Sequence, residues 1–214
     1  MKKLLALLLV FMLTFSLAAC AKDEPAKETQ SQETTAAPTT EVAKTYTAEE
    51  VVKIYEVRKA LTLAIDRTLL VEQITRAGQL PATGFVPPGL KDSTGADFRA
   101  TAGDYGISPD GSAIDEAKQL LADAGFPNGE NFPTLTILYN TSEGHKAIAE
   151  AIQEMWKQNL NINVEIANQE WAVFQDTRHQ GNFQLARAGW ICDYEEPMTF
   201  LDLWTSYSGN NDAQ

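Results

Sequence analysis

The segment from residue 135 to residue 190 constrains the fold most, because its apolar pattern alternates between strand-like and helix-like periods. Residues 135–139 (LTILY), 162–166 (INVEI) and 183–190 have the length and pattern of strands. Apolar residues between the first two strands recur at helical steps, and residues 171–178 form a second predicted helix. The strand–helix–strand–helix–strand order implies parallel pairing with right-handed crossovers. We therefore predict an α/β fold with these three strands in one sheet.

The segment before this unit is predicted to contain helices separated by a long loop. Residues 49–65 have near-helical spacing, and Asp66 is a candidate cap for a second helix that ends before Gly78. Residues 81–112 are rich in turn-forming residues and are predicted to be loop, whereas residues 114–124 form a helix. On the second helix we expect Leu69, Leu70 and Ile74 to face inward. We expect the following apolar side chains to be largely buried: Ile137, Leu138, Ile148, Ile152, Val164, Ile166, Phe183 and Leu185.

The first twenty residues have the pattern of an export signal. Lys2 and Lys3 precede an apolar run over residues 4–17, which is shorter than the roughly twenty residues of a membrane span. The run ends in Leu-Ala-Ala-Cys, which resembles the lipobox of bacterial lipoproteins. This resemblance implies a signal peptide over residues 1–20, cleavage before Cys20 and a lipid on its thiol. The protein would then be exported and anchored at the outer face of the cell membrane or in the periplasmic space.

The composition after Cys20 divides the rest of the chain into two parts. Residues 21–45 are polar and offer almost nothing to bury, so we expect a disordered tether, followed by a folded part over residues 46–214. Cys192 is the only other cysteine, so no intramolecular disulfide is expected if Cys20 is lipidated. The net charge of −12 argues against a nucleic-acid partner and against electrostatic adsorption to anionic lipid.

Several motifs in the folded part resemble those of extracellular solute-binding proteins of the oligopeptide and dipeptide class, which serve ABC importers. They run in family order from about residue 55 to the C-terminus. The motifs are VRKAL at 57–61, AIDR at 64–67, ATGFVPPG at 82–89, YNTS at 139–142 before His145, Trp156, and ARAGWICDY at 186–194. The resemblance implies a periplasmic-binding-protein-like lobe of the type II class, with a mixed or parallel sheet flanked by helices.

The resemblance also implies a function, namely the capture of short peptides in a cleft between two lobes and their delivery to the importer's permease subunits. Asp193 matches the acid that holds the peptide's α-ammonium group. Arg187 and His145 match basic groups that meet its carboxylate, and Trp190 and Cys192 match cleft residues beside the peptide backbone. No catalytic residue, metal ligand or cofactor is implied.

The chemistry of these residues permits such roles without requiring them. A receptor indifferent to side chains has to fix the charged ends of a peptide, and a buried ammonium needs a carboxylate partner. Asp193 follows a predicted strand, near the carboxyl edge where ligands of α/β sheets gather. Without the resemblance, however, Asp193 could equally be a helix cap or a solvated loop acid. Arg187 and His145 could be ordinary surface residues, and Trp190 and Cys192 could be core residues.

Two other classes of function stay open on the sequence. An enzyme would use Cys192 with His145 or His179 as a nucleophile and base, or the acids at 193, 195 and 196 as a carboxylate pair. Neither set has a recognised local motif, and two histidines without ligand spacing do not indicate a metal site. The other alternative is a surface lipoprotein that reuses the lobe for adhesion or protein interaction.

The chain departs from the resembling family in length. Family members have two lobes and are much longer than 214 residues, and the motifs found here belong to their second half. We therefore expect a partial, mainly C-terminal lobe that binds peptides weakly or not at all by itself.

Overall fold

The computed structural model describes residues 44–213, and all structural statements below concern this range. The predicted signal peptide, the candidate lipidation site Cys20 and nearly all of the predicted tether lie outside it. The helices are α1 (Ala48–Val51), α2 (Tyr55–Leu63), α3 (Arg67–Leu69), α4 (Phe98–Ala102), α5 (Ile114–Asp123), α6 (Glu143–Leu160), α7 (Trp171–His179) and α8 (Met198–Leu201). The strands are β1 (Leu135–Asn140), β2 (Val164–Gln169) and β3 (Leu185–Ala186).

The three strands form one parallel sheet in the order β2-β1-β3, which confirms the predicted α/β layer. The β1–β2 register runs from Leu135 opposite Val164 to Asn140 opposite Gln169. Helices α6 and α7 supply the two crossovers and pack against the sheet. Parallel strands require such crossovers, because a short turn cannot bring the chain back to the same end of the sheet.

The central strand is buried along both faces of the sheet. Leu135, Ile137 and Tyr139 join the main hydrophobic cluster, whereas Leu138, on the opposite face, is also buried. Phe174 of α7, which packs against β1, is fully buried outside that cluster. A strand covered on both faces explains why residues 135–139 form a nearly continuous apolar run.

The third strand is much shorter than the predicted segment 183–190. The Gln184 side-chain oxygen accepts the Thr136 N–H at 3.0 Å, so a side chain replaces the backbone partner before β3. After β3, the Arg187 N–H donates to the Leu138 carbonyl at 2.8 Å, and residues 187–190 are not part of the strand. Only residues 185 and 186 therefore pair along the ladder.

The predicted helix over residues 49–65 is divided into α1 and α2. Thr47 and Glu50 form a capping box, with the Glu50 N–H donating to Thr47 Oγ1 and the Thr47 N–H to Glu50 Oε2. The Arg58 guanidinium donates to the Val52 and Lys53 carbonyls, which stabilises the turn between the helices. The spacing of apolar residues does not reveal a helix break that is stabilised by a polar side chain, so the sequence predicted one continuous helix.

Side chains distant in sequence satisfy the carbonyls at the end of α2. Trp156 Nε1 donates to the Leu61 carbonyl at 2.9 Å, and Asn159 Nδ2 donates to the Ala64 carbonyl at 3.0 Å. Arg67 donates to the carbonyls of residues 62 and 65. Helix ends leave such carbonyls without an intrahelical partner. Through these hydrogen bonds, Trp156 and Asn159 of α6 connect α2 to the α/β unit.

The second predicted helix begins as expected and then changes its geometry. The Asp66 side chain accepts the Leu69 N–H at 2.8 Å, but α3 is followed by a π-helical turn over Leu70–Thr75 that closes at Arg76, not at Gly78. The π-helical turn begins directly after Leu69, so the regular α-helical period from which Leu69 was placed inward does not continue. Leu69, predicted to be inward, is 37% exposed.

The remaining predictions of element boundaries and of burial are confirmed in part. Loop 81–90, helix α5 and helix α7 follow the prediction, and a short helix, α4, lies in the predicted loop 91–112. Buried as predicted are Ile137, Leu138 and Val164. Only partly buried are Leu70, Ile74, Ile148, Ile152, Ile166, Phe183 and Leu185. Ile166 and Leu185 lie on strands with one neighbour each, which leaves their side chains less covered. From residue 44 to residue 213, no helix is long and apolar enough to cross a membrane.

Candidate functional site

Two of the predicted site residues, His145 and Arg187, follow strands that end at the carboxyl edge of the sheet. All three strands are parallel, so Asn140, Gln169 and Ala186 end at the same edge. His145 follows β1 in the first turn of α6, and Arg187 immediately follows β3. This is the edge at which α/β sheets bind ligands.

His145 is held by the strand that precedes it. Its half-buried ring places Nδ1 at 3.1 Å from the Asn140 carbonyl oxygen. A carbonyl only accepts hydrogen bonds, so Nδ1 carries the proton and Nε2 is left as an acceptor in the neutral ring. His145 can therefore donate a hydrogen bond to an anion through Nε2 only when the ring is protonated.

Arg187 is a partly buried cation at the end of β3. Its guanidinium forms no ion pair or hydrogen bond among residues 44–213, and burial lowers its pKa, with a smaller contribution from repulsion by Arg178. A methyl group added at Gly189 would lie 2.7 Å from Arg187 Nη2. Gly189 therefore provides the space in which the guanidinium lies against the backbone.

Asp193 is exposed, and its backbone is fixed by the next helix. The Asp193 N–H donates to the hydroxyl of buried Thr199 at 3.0 Å, whereas no partner for its carboxylate lies within the described part of the chain. At the start of α8, the Glu196 carboxylate and not that of Asp193 accepts the Met198 N–H, at 3.0 Å. The Asp193 carboxylate is thus available to a cation from solution.

Trp190 and Cys192 lie on the exposed segment between Arg187 and Asp193. Trp190 is 38% exposed, neighbouring Ile191 is 89% exposed, and the Cys192 thiol is exposed and free. These side chains do not belong to the core, which the residue types alone had left open. The segment therefore combines a cation, an indole and a carboxylate at the surface.

A second arginine, Arg178, was not predicted as a site residue. Arg178, in the last turn of α7, donates to the carboxylate of Asp212, and their side chains are only 17% and 10% exposed. His179 Nε2 lies 3.8 Å from the other oxygen of Asp212. Sequence spacing gave no signal for this cluster, because it joins a helix to a residue 34 positions later.

Two buried oxygens at the same edge were also missed. The side-chain oxygens of Asn140 and Gln169, which are opposite each other in the last pair of the β1–β2 register, have no hydrogen-bond partner among the described residues. Buried polar atoms are usually satisfied, so such a pair is unusual. The sequence signal was the polar residue that ends each strand.

Neither histidine is a hydrogen-bond partner of Cys192, and His179 contacts Asp212 instead. The described part of the chain contains no group of three or more histidines, cysteines and acids that could hold a metal ion.

Comparison with known proteins gives consistent results in sequence and in structure. Residues 12–212 match the family described as bacterial extracellular solute-binding proteins, family 5 Middle. The periplasmic oligopeptide-binding protein OppA of Salmonella typhimurium (strain LT2) is 44% identical over 163 residues, which cover 73% of this chain and 28% of that protein.

Solved structures resemble the fold over the same extent. A Haemophilus influenzae OppA complex with the peptide RPPGFSPFR aligns with a TM-score of 0.66 and 36% identity, covering 75% of this chain and 31% of that one. A structure described as the peptide-binding protein of a peptide ABC transporter aligns with a TM-score of 0.69 and 30% identity, covering 77% and 72%. The chain spans 28% of the length of the curated OppA relative. Because the family match extends over residues 12–212 and the fold has the expected parallel sheet, this chain belongs to the bacterial extracellular solute-binding proteins of family 5.

Proposed function

We propose that this chain supplies peptide-binding residues to the substrate-binding component of an ABC importer, where short peptides are held by their charged ends and backbone. The observation that carries the proposal is the segment 187–193, which begins directly after β3 and carries an indole together with a guanidinium and a carboxylate that have no partner among residues 44–213. The related proteins named above, which are described as binding oligopeptides, support the same ligand class.

Each charged group has a complementary partner on a free peptide. Asp193 would accept hydrogen bonds from the α-ammonium group, and Arg187, with His145 when protonated, would donate to the terminal carboxylate. Trp190 offers an apolar face, and Cys192 lies beside the same path without an assigned chemical step. Binding by such contacts needs no cofactor and no bond cleavage, so we propose a binding protein and not an enzyme.

The exposure of this segment predicts weak binding by the isolated chain. Ion pairs between exposed groups contribute only about 0–1 kcal/mol each. With two such pairs and a partly covered backbone, we expect a dissociation constant of about 1 mM or weaker, equivalent to roughly −4 kcal/mol. Transport by this chain alone is not expected.

The test is an NMR titration of the chain with trialanine, N-acetyl-trialanine and trialanine amide. Trialanine should perturb the signals of residues 187–193 and bind more tightly than either blocked peptide. Asp193→Asn should remove the preference for the free amine, and Gly189→Ala, which displaces the Arg187 guanidinium, should reduce the preference for the free carboxylate. Glu195→Gln is the matched charge control and should retain both preferences.

Equal affinity for all three peptides, or perturbations confined to other parts of the chain, would contradict the proposal. A micromolar, stoichiometric isotherm for trialanine would instead contradict the expectation of weak binding and show that this chain is a complete receptor.

We also propose export and lipid anchoring through Cys20, with the permease subunits of the importer as the protein partner. The support is the Leu-Ala-Ala-Cys sequence after the apolar run and the periplasmic description of the OppA relative. In a bacterial host, the mature protein should begin at a lipidated Cys20 and partition into detergent, and Cys20→Ala should leave it uncleaved or unanchored. An intact mass with an unmodified Cys20 would refute the anchor but not the peptide-binding proposal.

A further inference from the structure

The exposed segment 188–192 is attached to the rest of the fold only through the residues at its two ends. On one side, the Arg187 N–H donates to the Leu138 carbonyl at 2.8 Å. On the other side, the Asp193 N–H donates to Thr199 Oγ1 at 3.0 Å. Residues 188–192 themselves form no hydrogen bond with any other residue in the described part of the chain. The location of the Asp193 backbone therefore depends on its bond to the Thr199 hydroxyl.

Thr199 can hold this backbone because its own side chain lies in the protein interior. It is 4% exposed, and within residues 44–213 it is the only buried residue with a charged, amide or aliphatic hydroxyl side chain. Its N–H donates to the Glu196 carbonyl at 3.1 Å, at the start of α8. Buried hydroxyl groups are almost always hydrogen-bonded, and the partner here is the backbone of an exposed residue. The contact thus links the candidate ammonium-binding residue to the interior.

The Asp193 carboxylate has no ion pair or hydrogen bond among residues 44–213, so its location follows that of its backbone. We propose that Thr199 is a positioning residue for the candidate ammonium site, because its hydroxyl anchors the Asp193 backbone and thereby places the carboxylate that the α-ammonium group of a peptide meets. The inference rests on the proposed function, since it names the residue that keeps one end of that site in place. Thr199 itself is too buried to contact the ligand.

Loss of this anchor should weaken the recognition of a free amine. A hydrogen bond between uncharged groups favours the bonded arrangement by about two- to tenfold. An exposed ion pair, in turn, supports a preference of up to about fivefold for trialanine over N-acetyl-trialanine. Thr199→Val keeps the shape of the side chain and removes the acceptor, so the carboxylate would be in place for a smaller fraction of the time. The preference should then fall to about half of its original value or less.

The experiment is an NMR titration of the variants with trialanine, N-acetyl-trialanine and trialanine amide. Thr199→Val should lose preference for the free amine and keep its preference for the free carboxylate, because Arg187 is attached separately, next to β3. A general loosening of the fold would weaken both preferences. Thr199→Ser retains the hydroxyl and should retain both. Thr205→Val is the matched control, since the Thr205 hydroxyl donates to Asp202, and it should also retain both preferences.

Hydrogen exchange in the unaltered chain tests the anchor without any variant. After correction for neighbouring side chains, the Asp193 amide should exchange about two- to tenfold more slowly than the amides of Ile191 and Cys192, which have no acceptor within residues 44–213. Equal exchange rates would overturn the inference, and so would an undiminished preference for the free amine in folded Thr199→Val. No preference for the free amine in the unaltered chain would be a different failure, because it would remove the proposed role of Asp193 together with the inference.

Discussion

The contact between Trp156 and Leu61 provides a sharp test of how the two halves of the described fold are joined. Trp156 is 5% exposed, and its indole nitrogen donates to the carbonyl of Leu61 in the last turn of α2. We expect Trp156→Phe to destabilise the protein substantially while the secondary structure is retained. The substitution keeps an aromatic ring but removes the donor and part of the buried volume.

The magnitude follows from these two losses. A buried carbonyl left without its partner costs about 1–3 kcal/mol. The smaller ring leaves a cavity and loses apolar contact, which adds about 1 kcal/mol. The expected decrease in the free energy of unfolding is therefore about 2–4 kcal/mol, against a total of about 5–15 kcal/mol for typical domains.

Urea denaturation followed by circular dichroism at 222 nm measures this decrease. At a typical slope of about 2 kcal/mol per molar urea, the midpoint should fall by about 1–2 M. Trp171→Phe is the matched control, because Trp171 is 54% exposed and stacks only on Phe174, and it should change the stability by about 0.5 kcal/mol or less. Equal midpoints for the two variants would refute the reasoning that α2 is fixed through the indole of Trp156.

Two further predictions concern the backbone conformation of glycine residues and the stability of the protein at acidic pH. Gly129→Ala should lower the free energy of unfolding by at least about 2 kcal/mol in the same urea assay, because φ is +72° and the new methyl group would lie 2.6 Å from the Leu160 carbonyl oxygen. Gly125→Ala is the control, since Gly125 has φ +97° but open space around it, and it should cost only about 1 kcal/mol. Equal costs for the two variants would contradict the steric argument. Hydrogen bonds from Ser108 and Ser112 lower the pKa of Asp110 from 3.8 to about 2, so its contribution to stability is complete above about pH 4 and is lost as the pH falls through 2. Asp110→Asn should flatten the pH dependence of the unfolding midpoint between pH 4 and 2, and an unchanged slope would show that those hydrogen bonds do not persist in solution.

The elements that the sequence predicted correctly are those in which local pattern and tertiary packing agree. β1 has an apolar run because both of its faces are covered, and α6 has a helical period because one face packs on the sheet and on α5. In such elements the burial that creates the pattern is the burial found in the fold. The order of strands and crossovers then restricted the sheet to parallel pairing.

The incorrect boundaries arise where a side chain from a distant element replaces a backbone partner. Gln184 takes the Thr136 N–H in place of a ladder bond, and Arg58 satisfies the carbonyls between α1 and α2. Neither contact leaves a periodic signal, since one polar residue at one position has no period. The π-helical turn after Asp66 is likewise set by packing and not by the residue types at its start.

The candidate site shows the same division between sequence and tertiary structure. The candidate site residues could be named from the sequence, because the motif at 186–194 carries Arg187, Trp190 and Asp193 in one continuous segment. Which charged side chains are already paired within the protein depends on the tertiary structure. Asp212 lies 34 residues from Arg178, and the formation of such a pair depends on a distance in space that no spacing along the chain encodes.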